Sequence, residues 1–157
     1  MWADILQAEH SAWLATRYAG QEPEVPLMGI IGEAGEAAHA MLSEYKELKH
    51  GKNPRHEGHN AALLDAVGDC VIYVCSWCNT TGRRLSDYTR DCAVEAPRLL
   101  HPLDIGALLM LSATMGYRER VVRYDLLRAL QYICATRGVT LEFVAMTAWQ
   151  HVKERVK

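Results

Sequence analysis

Between residues 2 and 18 the apolar positions Ile5, Leu6, Ala12, Trp13 and Ala15 recur at roughly helical spacing, and Gly20, Pro23 and Pro26 close the segment. This predicts a first helix. A second, long helix is predicted over residues 27–49. Its N-terminal half, "MGIIGEAGEAAHAML", is small and apolar, and its C-terminal half, "SEYKELKH", is charged and expected to face solvent. Gly29, Gly32 and Gly35 each cost this helix about 1 kcal/mol relative to alanine. Close packing of a neighbour is the expected reason for keeping them.

"GKNPRHEGHN", residues 51–60, has the glycine, proline and asparagine of a loop. A third helix is predicted over about residues 61–80, with Gly82 as its C-cap. "RRLSDYTRDCAVEA" is expected to form a short fourth helix, with Ser86 as an alternative N-cap and Pro97 as its end. Helical patterning then returns over about residues 103–117, 120–136 and 141–156. No alternating strand pattern competes, so the expected class is all-α.

Length and composition fit one folded domain over residues 1–157: half of the chain is hydrophobic and 23% is charged. A net charge of −2 supplies no basic field for nucleic acid, and no unbroken apolar stretch reaches the length of a membrane span. A small partner is expected instead. "MWADILQAEHSAW" lacks the basic region and apolar block of a signal peptide, which makes the cytoplasm the expected location. Of the five cysteines, Cys70, Cys75, Cys78 and Cys134 lie in apolar helical runs and are expected to be buried free thiols.

A weak internal repeat is also visible. "CNTTGRRLSDY" and "CATRGVTLEFV" share Cys, Thr, Gly and Leu in register, and each has an aspartate nine residues before its cysteine, Asp69 and Asp125. Extended backward, the register sets "PLMGIIGEAGE" beside "PLDIGALLMLS", with Leu109 and Ser112 in place of Glu33 and Glu36. A duplication would make residues 98–157 a degenerate second copy that has lost its acids.

Those acids carry the chemistry. Glu33 and Glu36 are three apart, and Asp65 and Asp69 in "LLDAVGDCVIYVC" are four apart, so each pair leaves one face of a helix. Each sits in the most apolar part of its segment with no Lys or Arg within a turn. Two helices joined by one loop pack antiparallel, and four carboxylates then converge. An all-carboxylate set suits hard ions such as Mg²⁺ or Mn²⁺ rather than Zn²⁺. Di-iron bundles need a Glu-x-x-His motif on each of two helices. Glu36 and His39 supply that spacing once only.

"GEAGEAAHAM" followed across a loop by "LLDAVGDCVIYV" resembles the MazG-like all-α nucleoside triphosphate pyrophosphohydrolases, a group that includes the dimeric dUTPases. The resemblance covers about residues 27–82, the metal-site hairpin, and "AWQHVKERVK" is similar to the last helix of some members. The family's signature is Glu-x-x-Glu on one helix and Glu-x-x-Asp on the next, with a glycine before the aspartate. Glu33, Glu36, Gly68 and Asp69 match it. Ala66 departs from it, standing where the signature has a glutamate, and Asp65 is the nearby substitute about 100° around the helix.

The resemblance implies a helical bundle of four core helices with additional ones. It also implies two or three Mg²⁺ or Mn²⁺ ions held by Glu33, Glu36, Asp65 and Asp69, and a dimer or tetramer. The implied reaction is cleavage between the α and β phosphates of a nucleoside triphosphate, to a monophosphate and diphosphate. Water would be activated by Glu33 or Glu36, or by a metal-held hydroxide.

Lys46, Lys49, Lys52 and Arg55 are candidates for the outer phosphates. Trp2, Trp13, Tyr18, Tyr73 and Trp77 are candidate walls for the base, Tyr73 first because it continues the Asp65 and Asp69 face, and Asn79 is a further contact candidate. A purine deoxynucleotide such as dGTP is the expected substrate. The "CSWC" pair is read as packed thiols, "HEGH" as a solvated loop and His39 as a partly buried helix residue. The alternative reading is a helical interaction module whose catalysis ended with the loss of the glutamate at position 66.

Overall fold

The computed structural model describes residues 1–51, 57–89 and 101–155, without the side chains of residues 57–59 and 102. The described residues form helices and turns with no strand: α1 (Trp2–Arg17), α2 (Glu24–Lys49), α3 (Glu57–Thr81), α4 (Leu85–Thr89), α5 (Pro102–Glu119), α6 (Tyr124–Thr136) and α7 (Leu141–Glu154). α2 and α3 form an antiparallel hairpin, in which Cys70 reaches the Ile30 carbonyl and Tyr73 lies over Gly29. α5 flanks α2, α7 runs along α3, α1 crosses α3 and α7, and α6 packs back on α5.

α3 is the axis of this arrangement. Val67, Cys70, Val71, Val74 and Cys75 are fully buried, and Trp77 and Cys78 continue the core toward α4. By length and mean hydropathy, residues Asn60–Thr81 would suffice to cross a membrane although Asp65 and Asp69 interrupt the apolar run, and 67% of the apolar 18-residue window within them is buried inside the fold. The four thiols Cys70, Cys75, Cys78 and Cys134 are buried and free, and burial pushes each thiol up. Cys92 lies outside the described residues.

Several boundaries differ from the sequence pattern for local reasons. α2 starts three residues early, at Glu24, because a proline in the first turn, Pro26, lacks only an N–H that has no partner there anyway. α3 starts at Glu57 rather than 61, which shortens the expected loop. α6 begins at Tyr124 rather than 120, since Arg120 adopts the left-handed conformation (φ 57°) that ends α5. Ser86 lies buried inside α4 and is not its cap; the first N–H, that of Leu85, instead donates to Gln7 Oε1 at 2.8 Å, while Gln7 Nε2 donates to the Arg83 carbonyl at 2.7 Å. The rest of the expected fourth helix, with Pro97, lies outside the described residues. The C-terminal half of α2 is not all solvent-facing: half-buried Glu44 makes a two-pronged ion pair with Arg137 at the end of α6.

The two sequence segments that match each other also end their helices alike. The Arg83 N–H donates to the Cys78 carbonyl past Gly82 (φ 68°), and the Val139 N–H donates to the Cys134 carbonyl past Gly138 (φ 70°). In the turn before each glycine, Thr80 and Thr136 donate to the carbonyl three residues back. Both are Schellman caps, so the shared Cys, Thr and Gly have a common local chemistry.

Not every glycine is held by packing. A Cβ on Gly29 would stand 2.4 Å from the Tyr73 ring, and one on Gly68 would stand 2.6 Å from Ala148 Cβ and 3.0 Å from the Val144 carbonyl oxygen. Gly32 has nothing within 4 Å and Gly35 meets only Met110 Sδ at 4.0 Å, which corrects the expectation that a close neighbour explains all three glycines of α2. Opposite effects are therefore expected in urea titrations. Gly68→Ala should cost about 1–3 kcal/mol by forcing α7 off α3, whereas Gly32→Ala should gain up to about 1 kcal/mol of helix propensity.

Candidate active site

The antiparallel register of α2 and α3 brings Glu33 and Glu36 into the field of Asp65 and Asp69. Glu33 and Asp69 are half-buried, while Glu36 and Asp65 are exposed. Burial, with the charges of Asp69, Glu36 and Asp65 adding to it against Arg155, pushes the Glu33 carboxyl up to about 7. Burial and the Asp65 and Glu36 charges likewise raise Asp69, against Arg155 and His151. Among the described residues no Lys or Arg forms an ion pair with any of the four. Nor are any three His, Cys, Asp or Glu side chains drawn together there as a tight ligand set.

Position 66, where the family signature has a glutamate, points into the core: Ala66 is 2% exposed. Asp65, with its side chain 52% exposed, instead faces α7, and His151 Nδ1 lies 4.0 Å from its Oδ1. The basic side chains that face the acids are thus His151 and Arg155, on or just after the last helix, and neither was among the residues expected at the site. Their signal was the i,i+4 spacing of His151 and Arg155 in "AWQHVKERVK", which puts both on one face. α7 is seated by Gly68 beneath it and by Glu9 of α1, which accepts from Trp149 Nε1 at 2.7 Å and from Lys153 Nζ at 3.0 Å.

Asp69 and Arg155 also line a cavity of about 430 Å³ between α1, the start of α2, α3 and the end of α7. Its walls include Trp13, Tyr18 and Tyr73, with Ile72 and Val152, and its polar groups include His10, Gln21 and Ser76. The Tyr73 ring gets there because Gly29 leaves room for it on α2. Tyr73, Trp13 and Tyr18 are therefore cavity walls. Trp77, 1% exposed, lies in the core against Tyr88 and under Arg83, and Trp2 packs against the core.

Other expected contacts fall elsewhere. Asn79 does not line the cavity; its Nδ2 holds His10 Nδ1 at 3.1 Å and the Gln7 carbonyl at 3.4 Å. Lys46 and Lys49 are exposed at the far end of α2, roughly 15 and 20 Å along the axis from Glu36. Lys52, Arg55 and His56, and the side chain of His59, lie outside the described residues. His39 is exposed rather than partly buried, in a groove of about 450 Å³ along Gly32, Gly35 and Glu36.

The donor set is four carboxylates with oxygen ligands only, half-buried in part and, among the described residues, paired with no Lys or Arg. That chemistry fits Mg²⁺ or Mn²⁺. No family model, no curated protein and no solved structure matches the chain.

The raised carboxyl has a consequence for stability. Glu33 binds its proton more tightly in the folded chain than in the unfolded one, so between its ordinary value and about 7 the folded state carries the extra proton and stability falls as pH rises. His10 acts in the opposite sense at lower pH, because burial pushes its imidazole down to about 4. The effect of Glu33 is therefore read above pH 6.5. In chelator, the urea midpoint should fall from pH 6.5 to 8, and Glu33→Gln should flatten that slope.

Proposed function

We propose that the protein is a metal-dependent nucleoside triphosphate pyrophosphohydrolase of the MazG-like type, converting an NTP or dNTP and water to the monophosphate and diphosphate. One observation carries the reading: Asp69 belongs at once to the four-carboxylate cluster and to the wall of an aromatic cavity large enough for a nucleoside. An acidic cluster alone would support only cation binding, and an aromatic cavity alone only a flat ligand. Side by side they fit a molecule with a ring at one end and a chain of phosphates at the other.

Glu33, Glu36, Asp65 and Asp69 would hold Mg²⁺ or Mn²⁺, which when bound neutralises the triphosphate and polarises its phosphoryl oxygens. The chain's own residues do the rest. Trp13, Tyr18 and Tyr73 stack and enclose the base, excluding water on that side. Arg155, beside Asp69 at the cavity wall, contacts the phosphates as they leave it for the acids. Glu33 or Glu36 takes the proton of the attacking water. Lys46 and Lys49 are too far along α2 to contribute in the same chain.

The α5 and α6 hairpin reads as a second copy of α2 and α3 that became scaffold. Leu109 and Ser112, the counterparts of Glu33 and Glu36, are buried, and Asp125, the counterpart of Asp69, is ion-paired with Arg123 at 3.1 Å. A homo-oligomer, a dimer or tetramer, belongs to the same reading through the resemblance.

Incubation of the protein with a mixture of common NTPs and dNTPs, dGTP included, in millimolar Mg²⁺ or Mn²⁺ should release diphosphate and a monophosphate. Glu36→Gln and Asp69→Asn should each lower turnover about 100-fold or more without lowering the melting temperature, because each removes a charge from a repelling group. If neither metal raises the melting temperature and no nucleotide yields diphosphate, the reading is wrong and the chain is an interaction module.

A further inference from the structure

The polar groups on the cavity wall have a fixed hydrogen-bonding sense. Asn79 Nδ2 reaches the Gln7 main-chain carbonyl, which can only accept, so this atom is the amide nitrogen and donates to His10 Nδ1 as well. His10 Nδ1 is thereby an acceptor, and the ring proton sits on Nε2. The ring is 2% exposed, wedged between Trp13 and Trp149, and burial keeps it neutral down to about pH 4. Gln21 is held in the same way: its Oε1 accepts from Ser76 Oγ at 2.8 Å, which uses the hydroxyl proton and leaves the Gln21 amide NH₂ free of any protein acceptor among the described residues. Of the neutral groups that line the cavity, His10 thus has a hydrogen and no lone pair to offer, and Gln21 has two free amide hydrogens beside an oxygen already engaged by Ser76.

We propose that these donors, His10 Nε2–H and the Gln21 amide, read a ring carbonyl, so that the cavity takes bases with oxygen at purine position 6 or pyrimidine position 4 (guanine, uracil, thymine) over adenine and cytosine. An amino group in that place would set donor against donor, and a buried donor left unpaired is costly. The inference rests on the reading of the cavity as the nucleoside site. Asn79 acts here as a positioning residue, through the tautomer of His10.

Calorimetric titration with the free nucleosides, without metal, tests this apart from catalysis. Deoxyguanosine and thymidine should bind about tenfold or more tightly than deoxyadenosine and deoxycytidine. Gln21→Glu keeps the acceptor for Ser76 but turns the free donor into an acceptor, and should shrink that ratio about fivefold or more. The imidazole ¹⁵N spectrum should show His10 protonated at Nε2 in the native chain and lose that single tautomer in Asn79→Leu. Equal affinity for all four nucleosides, binding of none, an unchanged ratio in Gln21→Glu, or a proton on Nδ1 would each overturn the proposal. Selective nucleoside binding with no diphosphate from any triphosphate would leave it standing and sink the hydrolase reading. Diphosphate release at equal kcat/KM for the four bases would do the reverse.

Discussion

Repulsion among Glu33, Glu36, Asp65 and Asp69 is what the surrounding structure has to contain. The residues that contain it are on the same two helices: between and beyond Asp65 and Asp69, α3 buries Ala66, Val67, Cys70 and Val71, and α2 buries Ile30, Ala34 and Ala37 around its glutamates. The apolar faces fix the hairpin, and the hairpin fixes the acids. Burial of even a few such side chains contributes several kcal/mol, enough to hold carboxylates in one another's field. Burial first, and the neighbouring charges after it, then appear as a raised proton affinity at Glu33 and Asp69 rather than as unfolding.

The fold class and the acidic pairs were legible in the sequence because both depend on short-range periodicity. Spacing of three and four residues in apolar surroundings is enough to put Glu33 with Glu36 and Asp65 with Asp69. Helix ends were less legible, for reasons that differ from one end to the next. Arg120 takes a left-handed conformation that favours glycine, and Leu85 is capped by Gln7 from 78 residues away. The glycines divide similarly. Gly29 and Gly68 are required by a side chain on another helix, Gly32 is not, and no property of the α2 sequence separates Gly29 from Gly32.

The basic side chains that face the acids were hard to read from the sequence for a related reason. Lys46 and Lys49 are close to the acids in sequence, but a helix carries them about 1.5 Å further away with every residue. His151 and Arg155 are remote in sequence and near in space, because α7 runs along α3 over the gap left by Gly68. Aromatic walls were half legible: five candidates could be named from composition, and three-dimensional packing assigned Trp13, Tyr18 and Tyr73 to the cavity while committing Trp77 to the core.

α7 also ties the two parts of the site together. Lys153 is engaged by Glu9, which also accepts from Trp149, and Trp149 in turn lies against His10. That chain of contacts locks the side of α7 turned toward α1 and sets the rotation at which His151 meets Asp65 and Arg155 reaches the cavity beside Asp69. Without α7 the α2 and α3 hairpin would keep its four carboxylates but lose both basic side chains facing them, and the cavity would lose the wall that Val152 and Arg155 provide. The hairpin places the acids; the last helix places the basic side chains beside them and closes the cavity.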